Sequence, residues 1–374
     1  MSLDIDCEFP GGNIIVERVE GDDVYLRQDH RDTEGFWFYW YFRVTGAEDR
    51  NLTFHFTGGD VIGLRGPGLS TDGGESWSWL GRDSVDQDNF SYTFSSDVPD
   101  VRFSVAMPYT QKQLDSFLGQ YKENSCLTKQ ILCTSRKGRE VEQLFLKKPD
   151  TDPQYRLFFT CRHHCCEMMA SYVIEGIMEE ILSGSQTGKW LLENTEVCIV
   201  PFADKDGVEE GDQGKKRLPR DHGRDYEGKN LYPETAAVQN FLPAWARSTP
   251  AITFDIHCPG LKGNYNEYIY FVGGRDAENW QKVSGFAALL ESENRGALPY
   301  AVKNNLPFGE AWNKPGNSTR GRGCKRWAQT LPGIEWAAAI EIPYASAGGQ
   351  EVNVSSARAF GRNLVNALKV YLSV

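Results

Sequence analysis

At 374 residues, with 40% hydrophobic and 12% aromatic side chains, the chain is long enough for two domains, each with its own core. A net charge of −11 and an isoelectric point near 5.2 argue against a surface for nucleic-acid phosphates, so no nucleic-acid partner is expected. No apolar run approaches the roughly 18 residues of a membrane span, and Met1–Cys7 has neither the basic start nor the apolar centre of a secretion signal. No membrane partner is expected. The nine cysteines include no Cys-x-x-Cys pair, which removes a zinc ribbon, and Cys161 and Cys198 lie in apolar runs where a thiol behaves as a small hydrophobe. The expectation is a reduced, cytoplasmic protein. Nothing in the sequence sets its oligomeric state.

From Asn13 to about Met107 the chain reads as short strands broken by turns. Phe36 to Val44 is aromatic and strand-prone, while 51–57 and 101–106 alternate cleanly; Thr57-Gly58-Gly59-Asp60 and Thr71-Asp72-Gly73-Gly74 mark turns. This spacing predicts an N-terminal antiparallel β-sandwich over residues 1–115. Its aromatics fit core packing better than a carbohydrate-binding face. Gln111 to Lys122 reads as a helix with Thr110 as N-cap, and Val141 to Leu146 opens the second domain as a strand.

Residues 116–374 alternate strand and helix. Strands are predicted at 156–161, 196–202, 251–257, 267–272 and 338–342, with helices from about 167, 234–247, 277–293 and 355–372. Apolar strands without strict alternation, interleaved with helices, imply an α/β domain with a mixed central sheet flanked by helices. Functional groups in such sheets gather at the C-terminal ends of strands.

Arg162-His163-His164-Cys165-Cys166-Glu167 follows the first of those strands and opens a helix. His164 and Glu167, three apart at a helix start, leave on one face and can fill two positions of a tetrahedral zinc. A chance His-x-x-Glu remains the alternative. His257 closes the 251–257 strand before Pro259-Gly260, placed to complete a His–Glu–His set; the alternative is a core histidine bonded to backbone. Glu341 stands between apolar stretches, where a carboxylate near a metal can act as general base unless alternation turns it to solvent.

Taken in order, these segments resemble the zinc carboxypeptidases, and most closely the cytosolic-carboxypeptidase branch. Arg162 to Glu167 resembles the first zinc motif. Val200 to Val208 resembles the strand-to-Asn-x-Asp-Gly-Val turn with Asp204 in the asparagine place, and Asp221 to Tyr226 resembles Asp-x-Asn-Arg-x-aromatic. Asp255-Ile256-His257 and Ile340-Glu341 resemble the third-ligand and general-base strands, while the 36–42 aromatic run, Ser70 to Trp77 and Pro108-Tyr109-Thr110 resemble that branch's N-terminal domain.

The resemblance implies one zinc per chain on His164, Glu167 and His257, with Glu341 as general base. It implies Arg224 as the anchor of a substrate's terminal carboxylate and a cation for the oxyanion. Arg217 is chosen for that cation, with Arg220 and Lys216 as rivals. Gly223 stands where the family has an asparagine, which removes amide donors and could open room for a branched substrate. The family's mobile tyrosine is not placed; Tyr344 and Tyr265 are candidates by composition. The basic cluster Arg320, Arg322, Lys325 and Arg326 resembles a stretch that selects acidic side chains. The expected function is a zinc metallocarboxypeptidase acting on a peptide or amino-acid conjugate, with an acidic or branched C-terminal residue. The alternatives are a zinc amidase or deacylase and a non-catalytic peptide- or glycan-binding relative.

Overall fold

The computed structural model describes residues 2–318 and 321–373. The first hundred residues build two five-stranded sheets. One has the order Asp4–Asp6, Tyr41–Thr45, Val101–Ser104, Gly68–Ser70, Ser78–Trp79; the other runs Ile15–Glu20, Asp23–Arg27, Asn51–Phe56, Asn89–Thr93, Val85–Asp86. Pairing is antiparallel except between Asp23–Arg27 and Asn51–Phe56, which run parallel. Between the sheets Trp40, Phe42, Phe54, Phe90 and Phe103 are buried and in ring contact, with centroids 4.8 Å apart for Phe54–Phe90 and 5.0 Å for Phe90–Phe103. The aromatic density is core.

The expected strand from Phe36 to Val44 is shorter than its composition predicts. Only Tyr41–Thr45 pairs into a sheet. Upstream, the backbone of Tyr39 is taken by a side chain from far along the sequence: its N–H donates to Gln213 Oε1 at 2.8 Å and its carbonyl accepts from Gln213 Nε2 at 2.8 Å. A glutamine amide thus substitutes for a neighbouring strand, which no local pattern encodes.

The second sheet system has seven strands in the order Leu127–Thr134, Glu140–Leu146, Thr195–Val200, Tyr155–Cys161, Ala251–His257, Ile334–Glu341, Tyr270–Phe271. The four central strands are mutually parallel and the outer ones antiparallel. Leu127–Thr134 escapes the sequence reading because it is a polar, largely solvent-facing edge strand without apolar alternation. The predicted 267–272 strand pairs only at Tyr270–Phe271. Register does the functional work: Thr160 pairs with Asp255, Cys161 with Ile256, and His257 with Glu341. Three strand ends and the loop after Cys161 therefore converge at one edge of the sheet.

Helices Met168–Leu182 and Val354–Leu372 cross on one face of this sheet at glycines. A Cβ on Gly176 would stand 1.9 Å from the Arg358 carbonyl oxygen, and one on Gly361 would stand 2.1 Å from that of Val173. The contact is backbone on backbone and cannot yield by rotating a side chain. Gly361→Ala should lower unfolding stability by about 1–3 kcal/mol through overpacking. An unchanged midpoint in thermal denaturation would show that the helix pair has room to spare.

Candidate metal centre and active site

The Tyr155–Cys161 strand leaves the sheet through Arg162, which adopts a left-handed φ of 61°. That conformation costs a non-glycine residue about 1–3 kcal/mol, and the buried guanidinium compensates. Its Nε donates to the Cys165 carbonyl at 2.8 Å, and its Nη1 to the Tyr109 carbonyl at 2.9 Å and to Ser171 Oγ at 3.0 Å. The loop 162–167 is so wound that His163 turns inward and His164 toward the strand ends. Glu167, fully buried, is the N-cap of Met168–Leu182.

Around that carboxylate, His164 Nδ1 lies 3.0 Å from Oε1 and His257 Nδ1 lies 2.8 Å from Oε2. One donor atom from each of His164, Glu167 and His257 falls within 4.8 Å of the others. Two imidazoles and one carboxylate are the donor types of a catalytic zinc site. Burial holds the His164 ring down to about 4, so it presents a neutral imidazole, the ligating form. Burial would raise the Glu167 carboxyl, but Lys215, His164 and His257 hold it well below the usual range. The residues fit the metal.

Glu341 projects from the neighbouring strand in register with His257. Burial pushes its carboxyl up to about 7, against the opposing pull of His257 and Lys215. Its Oε2 is buried and has no hydrogen-bond partner among the described residues. A desolvated carboxyl with a free oxygen beside a metal-capable set is equipped to take and return a proton.

Residues 114–295 match the zinc carboxypeptidase family model, Peptidase_M14. The matched segment, just under half of the chain, resembles a zinc carboxypeptidase domain. The chain is 24% identical to cytosolic carboxypeptidase 6 of Caenorhabditis elegans over 70% of this chain and 64% of the relative, and 24% identical to human cytosolic carboxypeptidase 2 over 50% of this chain and 22% of the relative. It thus spans less than two thirds of the length of these relatives. Among solved structures, a metallo-carboxypeptidase from Burkholderia cenocepacia superposes with a TM-score of 0.81 at 18% identity, covering 100% of this chain and 99% of that one. One from Pseudomonas aeruginosa, in complex with (2-guanidinoethylmercapto)succinic acid, superposes with a TM-score of 0.76 at 19% identity over 99% of each. The fold of the whole chain, N-terminal sheets included, is shared with these proteins.

Arg217 is not free to meet a substrate. Its guanidinium is spent on three carboxylates, Asp32 at 3.1 Å, Asp204 at 2.8 Å and Asp212 at 2.8 Å. Of the rivals, Arg220 pairs with buried Asp225 at 3.0 Å, and Lys216 is exposed. The cation at the centre is instead Lys215, whose Nζ lies 2.7 Å from Glu167 Oε1 and 3.4 Å from the Cys258 carbonyl oxygen. Sequence reading passed over it because four basic residues crowd one loop and only the loop's path selects among them. That path is set by the N-terminal sheets: Asp32 accepts from the Gln213 and Gly214 N–H groups at 2.8 Å each, and Thr33 Oγ1 donates to the Lys215 carbonyl.

Gly223 does not open a space. A Cβ there would stand 2.7 Å from His164 Nε2, so the ring of the metal-capable histidine fills the room a side chain would need. Arg224 follows it and is half-buried, with one contact to the Asn317 carbonyl at 3.3 Å. Neither tyrosine candidate is placed to swing: Tyr344 is buried, its hydroxyl 3.3 Å from the Cys166 carbonyl, and Tyr265 packs on Tyr270. An aromatic beside Glu341 is Tyr270, its strand partner, whose hydroxyl accepts from Nε1 of Trp312, 39% exposed, at 3.3 Å. Their local sequence gives no sign of this, because Trp312 sits in an irregular loop. Arg320 lies outside the described residues.

Gly223→Ala should push the His164 ring off its place and weaken zinc affinity by about 10-fold or more. Competition with a chromophoric chelator measures it; wild-type affinity would mean that the ring yields without leaving the metal.

Proposed function

We propose that this chain is a zinc-dependent carboxypeptidase that removes the C-terminal residue of a peptide, with preference for an acidic residue. The observation that carries the reading is the convergence of His164, Glu167 and His257 opposite a buried Glu341 whose Oε2 is unpartnered. Zinc held by those three residues would polarise the scissile carbonyl and lower the pKa of an attacking water. Glu341 takes the proton of that water and returns it to the leaving amine nitrogen. Lys215 faces the oxygen on which negative charge develops. Arg224, a planar fork, anchors the terminal carboxylate.

The acidic preference rests on the positive charge clustered around Arg224. Burial lowers the Arg326 guanidinium, and Arg275, Arg224 and Arg322 lower it further. Lys325 is buried with its Nζ donating to the Val272 carbonyl at 2.6 Å, and burial followed by Arg326 brings it down to about 8. Among the described residues, the carboxylate near Arg322 is that of Glu227 at 3.8 Å. A cluster that depresses its own members gains most from an incoming anion. A branched substrate loses its support, because Gly223 leaves no extra room.

Incubating a mixed peptide pool with the zinc-loaded protein should release single C-terminal residues, glutamate and aspartate first, as read by mass spectrometry. Glu341→Gln should cut the rate by about 10²–10⁴-fold. Zinc bound without any cleavage would transfer the reading to a deacylase acting on N-acyl amino acids.

The two loop cations should separate cleanly. Lys215→Met should lower kcat by about 10²–10³-fold with KM nearly unchanged. Arg217→Met, which strands buried carboxylates, should instead cost about 3–5 kcal/mol of stability. Equal kinetic losses with intact folding in both variants would sink the assignment of Lys215.

A further inference from the structure

His163 has no part in the chemistry described above, yet it is fully buried one residue before a metal-capable histidine. Its Nδ1 lies 2.8 Å from Asp255 Oδ1 and its Nε2 lies 2.7 Å from the Tyr226 hydroxyl. The second oxygen of Asp255 lies 2.9 Å from Nε2 of His257, whose Nδ1 faces Glu167. Four side chains from three separate segments thus form one unbroken polar chain that ends on a metal-capable nitrogen. Thr160 Oγ1 donates to Asp255 Oδ1 at 3.1 Å and completes its surroundings.

The carboxylate sets the direction of the hydrogen bonds around it. An ionised carboxylate only accepts, so both imidazoles donate to Asp255: His163 through Nδ1–H and His257 through Nε2–H. A neutral His163 then accepts at Nε2, and the Tyr226 hydroxyl donates to it. A His257 that ligates a metal is neutral, and its lone pair is then on Nδ1, the nitrogen that faces His164 and Glu167. A hydrogen bond on the far nitrogen of a ligating histidine fixes its tautomer and ring plane. Here the carboxylate that makes that bond is itself oriented from behind.

We propose that His163 is a positioning residue for the zinc site: held by Tyr226, it locks Asp255, and Asp255 locks the ring of His257 with Nδ1 toward the metal. The inference rests on the zinc reading above. The three-residue set of His163, Asp255 and His257 also has donor atoms within 4.8 Å of one another. It is sealed: His163 is 0% and Asp255 5% exposed, and the outer nitrogen of His163 is already taken by Tyr226. A relay, not a second ion, occupies this place. Tyr226 belongs to the segment that carries Arg224, and its N–H donates to the Arg322 carbonyl at 3.1 Å, so the relay is tied to both of these segments.

The test compares wild type with His163→Leu, His163→Asn and Tyr226→Phe. The readouts are zinc affinity by chelator competition, zinc content per chain, the visible spectrum of the cobalt(II) form, and the melting midpoint of the metal-free protein. His163→Leu removes both contacts and should weaken zinc binding about 10–100-fold. His163→Asn places an amide N–H near the position of Nδ1 and should restore most of that loss. Tyr226→Phe, which removes one oxygen, should weaken binding several-fold and shift the cobalt spectrum while leaving the metal-free midpoint in place. Wild-type zinc affinity and cobalt spectrum in His163→Leu and Tyr226→Phe would overturn the proposal, as would His163→Asn binding zinc no better than His163→Leu, or two zinc ions per wild-type chain. Failure of the underlying reading is distinguishable, because it appears in the wild type as no zinc uptake at all.

Discussion

A carboxylate without access to water organises this molecule. Glu167 is fully buried at the head of a helix, and an unpaired charge there would cost several kcal/mol. Everything around it answers that cost: imidazoles from the same loop and from a strand end, and an ammonium from a third segment. Each partner comes from a different part of the chain, so the fold cannot close without bringing the centre together. The left-handed turn at Arg162, pinned by three buried acceptors, points that loop at the strand ends and away from solvent.

The N-terminal sheets are bound into the same arrangement. Gln213 pairs with the backbone of Tyr39, and Asp32 grips the backbone at Gln213 and Gly214 as well as the guanidinium of Arg217. Trp37 extends the contact, its ring 5.3 Å from the Lys215 ammonium and its Nε1 3.4 Å from Cys166 Sγ. The loop that delivers Lys215 is therefore held from the β-rich part of the chain. Its four clustered charges are sorted by these anchors: one turned to the centre, one locked among carboxylates, one exposed, one spent on Asp225.

Two features unite the strand ends with this loop. The His257–Glu341 register sets the proposed base beside a proposed ligand on adjacent parallel strands. The 0% exposure of His163 seals the rear of the site with a polar relay where a hydrophobic residue would pack with less cost. Retaining such polar groups in a core costs stability unless every atom is satisfied. Here both nitrogens of His163 and both oxygens of Asp255 have partners.

What the sequence determined by itself was the alternation of strand and helix after residue 140 and the aromatic core of the first hundred residues; it offered His164, Glu167, His257 and Glu341 as candidates, which the family resemblance joined into one set. These are legible because they follow local periodicity, a three-residue spacing and strand ends, all of which act over a few residues. Four decisions belonged to the tertiary structure alone. Long-range hydrogen bonds to Asp32 put Lys215 and not Arg217 at the centre. The approach of the His164 ring turned Gly223 from an opening into a close contact. A glutamine from the catalytic loop replaced strand pairing at Tyr39. The inward turn at Arg162 made His163 a core residue with two polar partners. In each case the partner lies 60 or more positions away, or its side chain reaches a spot that only the folded path creates, and no reading of neighbouring residues can supply that distance.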